Sequence, residues 1–409
     1  MIKRIWIVSE LFYPEESATG YYLTKIAEGL SQFYSVNVLC GQPKYGQRTA
    51  YAPKYEDYRG ITIKRCWSTR LKKDIILHRL INIVTISFSI FWKALRAISA
   101  GDYILVVTNP PSLPYFVSLA CRLKGAKCVL LVHDVYPEVL TAAGILKEKS
   151  FPTRFLQSLS KWLYLNVYHI VVLGRDMKEL VSRKCKQHDS KLSIITNWAD
   201  IEQIKPFPRE TNRLLQELKL NNKFIVQYSG NMGRTHGIEL LFEIALRMFN
   251  RELVHFLFIG SGAKKEWLES AVRKAKIKNV TILPPRDRTE LCDSLNACDM
   301  AIISFVPQMV GVSVPSRMYN ILAAGKPIIA IAERNSELAM VINEWHLGWV
   351  ISINEQEKII DAIESALVSP QLLREIGIRA RLLVEKDYSF KRVSWDYHEL
   401  FEKLENHQP

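Results

Sequence analysis

The sequence predicts an α/β protein made of two consecutive doubly wound, Rossmann-like domains. Three observations carry this. Short β-branched runs alternate with longer stretches of helical periodicity from end to end. The runs show little internal apolar–polar alternation, as strands covered on both faces do. A polar segment with two prolines, Lys205-Pro206-Phe207-Pro208, interrupts the rhythm near the middle, after which it restarts.

In the first half the expected strands are 5–8, 36–40, 61–66, 104–108, 128–133, 170–173 and 192–196. Helical periodicity fills most gaps, as at 19–33 and 113–124. In the second half the strands fall at 224–228, 256–259, 280–283, 301–304, 328–331 and 349–353. The chain then closes in helices. The expected domains are 1–203 and 204–390. Two such units imply a cleft between them, with ligands outside the carboxyl ends of the strands.

Composition narrows the function classes. At 48% hydrophobic and 23% charged, the 409 residues exclude a mainly disordered or fibrous chain. A net charge of +14 favours an anionic partner. Seven cysteines without a Cys-x-x-Cys point to buried thiols in a reducing cytosol rather than a disulfide framework or zinc site. The opening Met1-Ile2-Lys3-Arg4-Ile5-Trp6-Ile7-Val8 has too short an apolar run for a signal peptide and reads as a first strand. Asp-x-Asp, His-Glu-x-x-His, Gly-x-Ser-x-Gly and Walker A are all missing, which argues against a zinc hydrolase, a serine hydrolase or a P-loop ATPase. No helix-turn-helix, RRM or basic-aromatic platform suggests a nucleic-acid partner.

Four segments of the second half follow strand ends and are expected to share one site. Tyr228-Ser229-Gly230-Asn231-Met232-Gly233-Arg234-Thr235-His236-Gly237 runs from a strand into a helix. Its glycines let backbone N–H groups approach an anion, or simply make a tight turn, and Arg234 adds a cation. In Gly311-Val312-Ser313-Val314-Pro315-Ser316-Arg317-Met318-Tyr319-Asn320, Ser316 is placed to N-cap a short helix that Gly325 ends. Arg317 then sits in a first turn, where the helix dipole disfavours a cation unless an anion binds beside it. Gly260-Ser261-Gly262 and Pro284-Pro285-Arg286 complete the set.

In the first half, Ser17-Ala18-Thr19-Gly20, Thr108-Asn109-Pro110-Pro111 and His133-Asp134-Val135-Tyr136-Pro137-Glu138 also follow strands. His133 and Asp134 are polar residues closing a very apolar strand, where catalytic groups sit in this architecture.

These residues carry a resemblance. Tyr228-Ser229-Gly230-Asn231-Met232-Gly233 with His236-Gly237 resembles the diphosphate-facing loop of family 4 glycosyltransferases. Phe258-Ile259-Gly260-Ser261-Gly262 and Pro315-Ser316-Arg317 with Leu322-Ala323-Ala324-Gly325-Lys326-Pro327 are similar to their donor segments. Val132-His133-Asp134, Ile195-Thr196-Asn197-Trp198 and Glu385-Lys386-Asp387-Tyr388-Ser389-Phe390 fit as well. The match is nearest to the colanic-acid-type exopolysaccharide transferases. It implies the GT-B fold, transfer with retention of anomeric configuration, and a last helix, about 391–409, packing back on the first domain.

On this reading the donor diphosphate and nucleotide are assigned to Gly20, Gly230, Asn231, Gly233, Arg234, Gly260, Gly262, Arg286, Ser313, Ser316, Arg317 and Asn320. Asn109, Tyr136 and Glu138 lie on the acceptor side, and His133 and Asp134 act in catalysis. The family often has two glutamates eight residues apart where this chain has Val312 and Asn320, and an Arg and a Lys where it has Asn231 and His236. Arg234 and Arg317 are the expected substitutes. No metal and no cofactor is expected. The donor is a nucleotide-sugar, UDP- or GDP-linked, and the acceptor a glycan or polyprenyl-linked glycan of the cell surface. A GT-B-type sugar-nucleotide epimerase and a degenerate, sugar-binding scaffold are the alternatives.

A last expectation concerns location: cytoplasmic, on the inner face of the membrane. Between Arg79 and Lys93 lie about 13 uncharged residues, short of the roughly 20 that span a bilayer. Arg70, Lys72 and Lys73 precede the segment, and Phe88, Phe91 and Trp92 suit a headgroup boundary. Residues of about 75–98 therefore read as an interfacial helix meeting an anionic membrane, against the alternative of an ordinary core helix.

Overall fold

The computed structural model describes residues 4–15, 17–43, 52–71, 75–185 and 189–406. Met1 to Lys3 of the expected first strand, and Lys72 and Lys73 before the apolar helix, lie outside the described residues.

The elements run β1 (Ile5–Val8), α1 (Ala18–Leu30), β2 (Val36–Cys40), β3 (Tyr55–Tyr58), β4 (Ile61–Arg65) and α2 (Ile76–Ala97). Then come β5 (Tyr103–Val107), α3 (Leu113–Lys124), β6 (Lys127–Val132), α4 (Glu138–Ala142), α5 (Phe151–Asn166), β7 (His169–Val172), α6 (Arg175–Lys184) and β8 (Leu192–Ile194). The second half gives α7 (Arg213–Leu218), β9 (Phe224–Asn231), α8 (Ile238–Arg247), β10 (Val254–Ser261), α9 (Lys265–Ala275), β11 (Val280–Leu283), α10 (Leu291–Asn296) and β12 (Met300–Ser304). It closes with α11 (Arg317–Ala323), β13 (Ile328–Ile331), α12 (Glu337–Glu344), β14 (Gly348–Ile351), α13 (Gln356–Leu367), α14 (Pro370–Asp387) and α15 (Phe390–Asn406).

The chain divides into two compact units. One holds Met1–Pro137, Lys149–Thr196 and Val393–Pro409; the other holds Glu138–Glu148 and Asn197–Arg392. The first is built on a sheet of order β3-β4-β2-β1-β5-β6-β7-β8, parallel except for the β3–β4 pair. Its strands β1, β5 and β7 are buried along their length, as strands covered by helices on both faces are. The antiparallel edge strand β3 was not anticipated. Its Tyr-Glu-Asp-Tyr sequence has no apolar run, and it is held by buried Arg65, whose guanidinium pairs with Glu56 at 2.6 Å. Within this unit α15 packs through Tyr34 Oη to His398 Nδ1 at 2.9 Å and Tyr103 Oη to the Leu404 carbonyl at 2.8 Å.

α2 falls within the expected segment of about 75–98. It runs 22 residues and, by length and composition, is long and apolar enough to cross a membrane. Yet Ile86, Ile90 and Ala94 are fully buried, and the Asn82 amide bonds the chain at Leu71 from both its oxygen and its nitrogen. The opposite stripe, Leu77, Leu80, Ile81, Val84, Phe88 and Trp92, is exposed at i, i+3, i+4, i+7 spacing. One face is core and the other is apolar and uncovered within this unit.

The second unit is a six-stranded parallel sheet of order β11-β10-β9-β12-β13-β14. In doubly wound sheets of this order the ligand crevice opens where strand order reverses, here between β9 and β12. Phe256, Phe258, Met300, Ile302 and Ile329 from the strands pack on Leu241 and Ile244 of α8 and Ile359 and Ile363 of α13. Each buried side chain of this size contributes roughly 1.5–3 kcal/mol to the core. Two of the motifs quoted above also meet here: Ala199 bridges Ser389, and the Trp198 and Phe390 rings lie 5.6 Å apart.

Candidate functional site

The site at the β9/β12 reversal begins with three glycines. β9 and β10 run in parallel register for eight residues, setting Gly260 opposite Gly230. A Cβ on Gly260 would lie 1.9 Å from the Gly230 carbonyl oxygen, and one on Gly262 would lie 2.5 Å from the Met232 oxygen. These two glycines therefore let the strands close, which is a structural duty whatever else they do. Gly230 is different: a Cβ there would meet Arg317 Nη1 at 2.9 Å. Its missing side chain is the space the guanidinium occupies.

Arg317 opens α11, the helix that follows β12. Its guanidinium lies 4.6 Å over the ring of buried Tyr228 and reaches the Ser229 carbonyl at 3.5 Å. Nη2 is buried without a hydrogen-bond partner. Among the described residues no carboxylate neutralises this cation. An unpaired, partly desolvated guanidinium is unstable unless an anion completes it. Beside it, His236 is pushed down to about 3 by burial and by the Arg317 charge, so its ring is neutral at pH 7. Tyr228 opens the loop motif quoted from the sequence, yet no role of its own was assigned to it there. Its ring supports Arg317, and its hydroxyl donates to the Asn231 carbonyl at 2.6 Å, fixing the loop.

The other assigned residues fall into place differently. Arg234 is exposed and lines a cavity of about 530 Å³ with Gly237, Lys264, Val306, Pro307 and Asn354, all beyond strand ends; Arg317 is not among its walls. Ser316 occupies the N-cap position of α11 but makes no capping bond, contrary to expectation, because its own backbone is already αR and not extended. Arg286 is occupied by Glu290 at 3.0 Å and Glu217 at 3.7 Å. Asn231 is exposed, Gly233 packs against the Asn231 and His236 side chains, and Ser313 and Asn320 are half-buried on the segment around α11. The expected anion at the start of α8 faces competition, since Glu239 already sits in that first turn and pairs with Lys264.

In the first unit, His133 and Asp134 follow β6. Both backbone N–H groups donate to the buried Thr108 hydroxyl, at 3.1 and 3.3 Å, so the end of β5 holds the end of β6. Thr108 is the second residue whose role the sequence did not announce. His133 Nε2 is buried without a partner, and burial pushes the ring down to about 4. Tyr136 is raised well above its ordinary range by burial and by Asp134. Gly20 lies in α1 against Glu15, and Asn109 follows β5. Glu138 begins α4, which belongs to the second unit although the sequence reading set it in the first.

Comparison with known proteins gives this geometry a family. Residues 19–203 match the model "Glycosyltransferase Family 4" and residues 211–383 match "Glycosyl transferases group 1". The chain is 31% identical over 393 residues to a probable glycosyltransferase, WbjE, of Pseudomonas aeruginosa, covering 94% of each. It is 25% identical to the putative colanic acid biosynthesis glycosyl transferase WcaI of Escherichia coli (strain K12), over 88% of this chain and 91% of that one. In fold it superposes on Anabaena Alr3699/HepE in complex with UDP and glucose, with a TM-score of 0.75 at 12% identity over 98% of this chain and 100% of that one. The protein is a glycosyltransferase, a member of family 4 with the GT-B fold.

Proposed function

We propose that this glycosyltransferase moves a sugar from a UDP- or GDP-linked donor to a glycan or lipid-linked acceptor in cell-surface glycan synthesis, with retention and without a metal. One observation carries the donor half: Arg317, desolvated over Tyr228 with an unpartnered Nη2 at the strand-order reversal. Glycosidic cleavage leaves negative charge on the departing diphosphate. A fixed guanidinium already in place stabilises that charge without reorganisation. Cationic side chains and backbone N–H groups can answer that charge directly. The Anabaena neighbour's complex with UDP and glucose supports a nucleotide-sugar donor. His133, neutral at pH 7, is assigned to the acceptor hydroxyl, with Asp134 beside it.

The exposed apolar stripe of α2 supports peripheral attachment to an anionic membrane at the inner face, where lipid-linked acceptors are reached. Incubation of the enzyme with UDP- and GDP-sugars and a lipid-linked acceptor fraction, reading nucleoside diphosphate release, tests the reaction. Acceptor-dependent release that falls by tenfold or more in Arg317→Ala is expected. Conversion of the donor to an epimer without acceptor would establish the epimerase reading instead, and donor binding without any turnover the scaffold.

A further inference from the structure

The stripe on α2 does not stand alone. The crossovers that lead from β4 to β5, β5 to β6 and β6 to β7 all advance the same way along the sheet, so α2, α3 and α5 lie on one face. α3 packs between the other two. Phe91 of α2 meets Phe116 of α3 at 6.1 Å, and the Ser87 and Ser112 hydroxyls lie 2.7 Å apart. Leu119 and Leu123 of α3 and Phe151, Phe155 and Trp162 of α5 are exposed, Phe151 by 82%.

Charge follows the same boundary. α2, α3 and α5 span 22, 12 and 16 residues and contain no Asp or Glu, in a chain with 41 acidic residues among 409. Their exposed cations are Arg79, Arg96, Arg122, Arg154 and Lys161, none in an ion pair among the described residues, with Lys93 and Lys124 half-buried. Acidic residues return on α6, next to α5, with Asp176 and Glu179. They return also on α1 with Glu28 and on α15 with Asp396, Glu399, Glu402 and Glu405.

We infer that α2, α3 and α5 together form one membrane-docking face, with exposed aromatic and aliphatic side chains entering an anionic lipid surface and a fringe of unpaired cations meeting its headgroups. This rests on the membrane reading of α2 and extends it from one helix to three. The occupant is a lipid surface because its chemistry matches both components at once: hydrocarbon for the exposed Leu, Phe and Trp side chains, phosphate for the cations. A two-fold contact with a second copy would instead set the same five cations against themselves.

The test is flotation of the full chain with vesicles of phosphatidylcholine containing about one-third phosphatidylglycerol, an anionic-surface probe. Three variants are compared with wild type: Phe151→Ser with Phe155→Ser; Arg122→Glu with Arg154→Glu and Lys161→Glu; and Leu77→Ser with Ile81→Ser and Phe88→Ser. All of these side chains are exposed, and unchanged thermal melts verify folding. Each variant is expected to bind at least tenfold more weakly, the charge variant losing its preference for anionic over neutral vesicles. Wild-type binding by both the α3/α5 charge variant and the α5 apolar variant, with loss only in the α2 variant, would overturn the three-helix face and leave α2 alone as the anchor. No flotation of wild type would overturn both readings. A concentration-dependent dimer broken by the α5 substitutions, or binding of a single-stranded oligonucleotide in place of vesicles, would assign the face to another partner.

Discussion

Gly230→Ala isolates what holds the anion-binding cation. At Gly230, φ is +141°, a conformation in which an L residue is strained. The new methyl carbon would also stand 2.9 Å from Arg317 Nη1, closer than real Cβ contacts come. The neighbour is the end of a flexible side chain, so the guanidinium moves rather than the backbone. Two separable effects follow. The backbone strain costs about 1–3 kcal/mol of stability. Displacing Arg317 removes a charge-assisted contact to the donor, worth about 1.5–3 kcal/mol. At 1.4 kcal/mol per decade this is roughly a 10- to 150-fold loss of UDP or GDP affinity.

Calorimetric titration of the nucleotide measures the second effect, and urea unfolding the first. Because Gly230 acts on the donor through Arg317, the two substitutions should not add. In an Arg317→Ala background, Gly230→Ala should lower stability again but leave nucleotide affinity where Arg317→Ala put it. Full additivity in affinity, or an unaffected affinity in both single variants, would refute the reasoning. Gly260→Ala is the contrast: its methyl would be 1.9 Å from the Gly230 carbonyl, a backbone atom, so the β9–β10 pair itself must separate and loss of folded protein is expected.

Three other outcomes are expected. Turnover should persist in excess EDTA; complete loss restored by magnesium or manganese would show that a metal, not Arg317, carries the leaving-group charge. His133→Ala should melt within a few degrees of wild type, since its Nε2 has no partner to lose, yet turn over at least about 100-fold more slowly, as a lost proton-transfer group does; a normal rate per folded molecule would make the residue structural. His133, His169 and His255 are pushed down to about 4 and His236 to about 3, chiefly by burial. The folded chain keeps these rings neutral while the unfolded chain protonates them below about 6.5, so stability should hold above that pH and fall as the pH drops from about 6.5 towards 4, and equal urea midpoints at pH 7.5 and 5 would contradict it.

Much of the frame was legible because burial on both faces demands uninterrupted β-branched runs, and these stand out in one dimension. Ile5–Val8, Val36–Cys40, Val280–Leu283 and Ile328–Ile331 fall where the runs place them. β9 and β10 extend three and two residues past the expected ends, into Ser-Gly-Asn and Gly-Ser. Glycine has little intrinsic strand preference, so only the ladder with the opposite strand, absent from a linear reading, carries these residues. β3 was hidden for the complementary reason: an edge strand closed by the ion pair of Arg65 and Glu56 needs no apolar run of its own.

The site shows where local pattern stops being enough. Arg286 and Arg317 look alike in sequence, each basic and each in a segment that follows a strand. What separates them is long-range pairing. Arg286 finds Glu217 and Glu290, so its charge is already answered, whereas Arg317 finds an aromatic ring and a glycine gap and, among the described residues, no carboxylate. The same distinction applies to the glycines, since Gly260 admits a strand and Gly230 admits a cation. Residue type and spacing thus nominate the groups able to meet a diphosphate. Which of them is free to do so depends on distant partners such as Ser229, 88 positions from Arg317. A substitution that alters such a partner should change donor binding as surely as one that alters the arginine, and Tyr228→Phe and Tyr228→Leu divide its contribution. The first keeps the ring under the guanidinium and should retain most nucleotide affinity; the second removes it and should approach Arg317→Ala. Equal affinity in the two would show that the ring does not hold Arg317 in place.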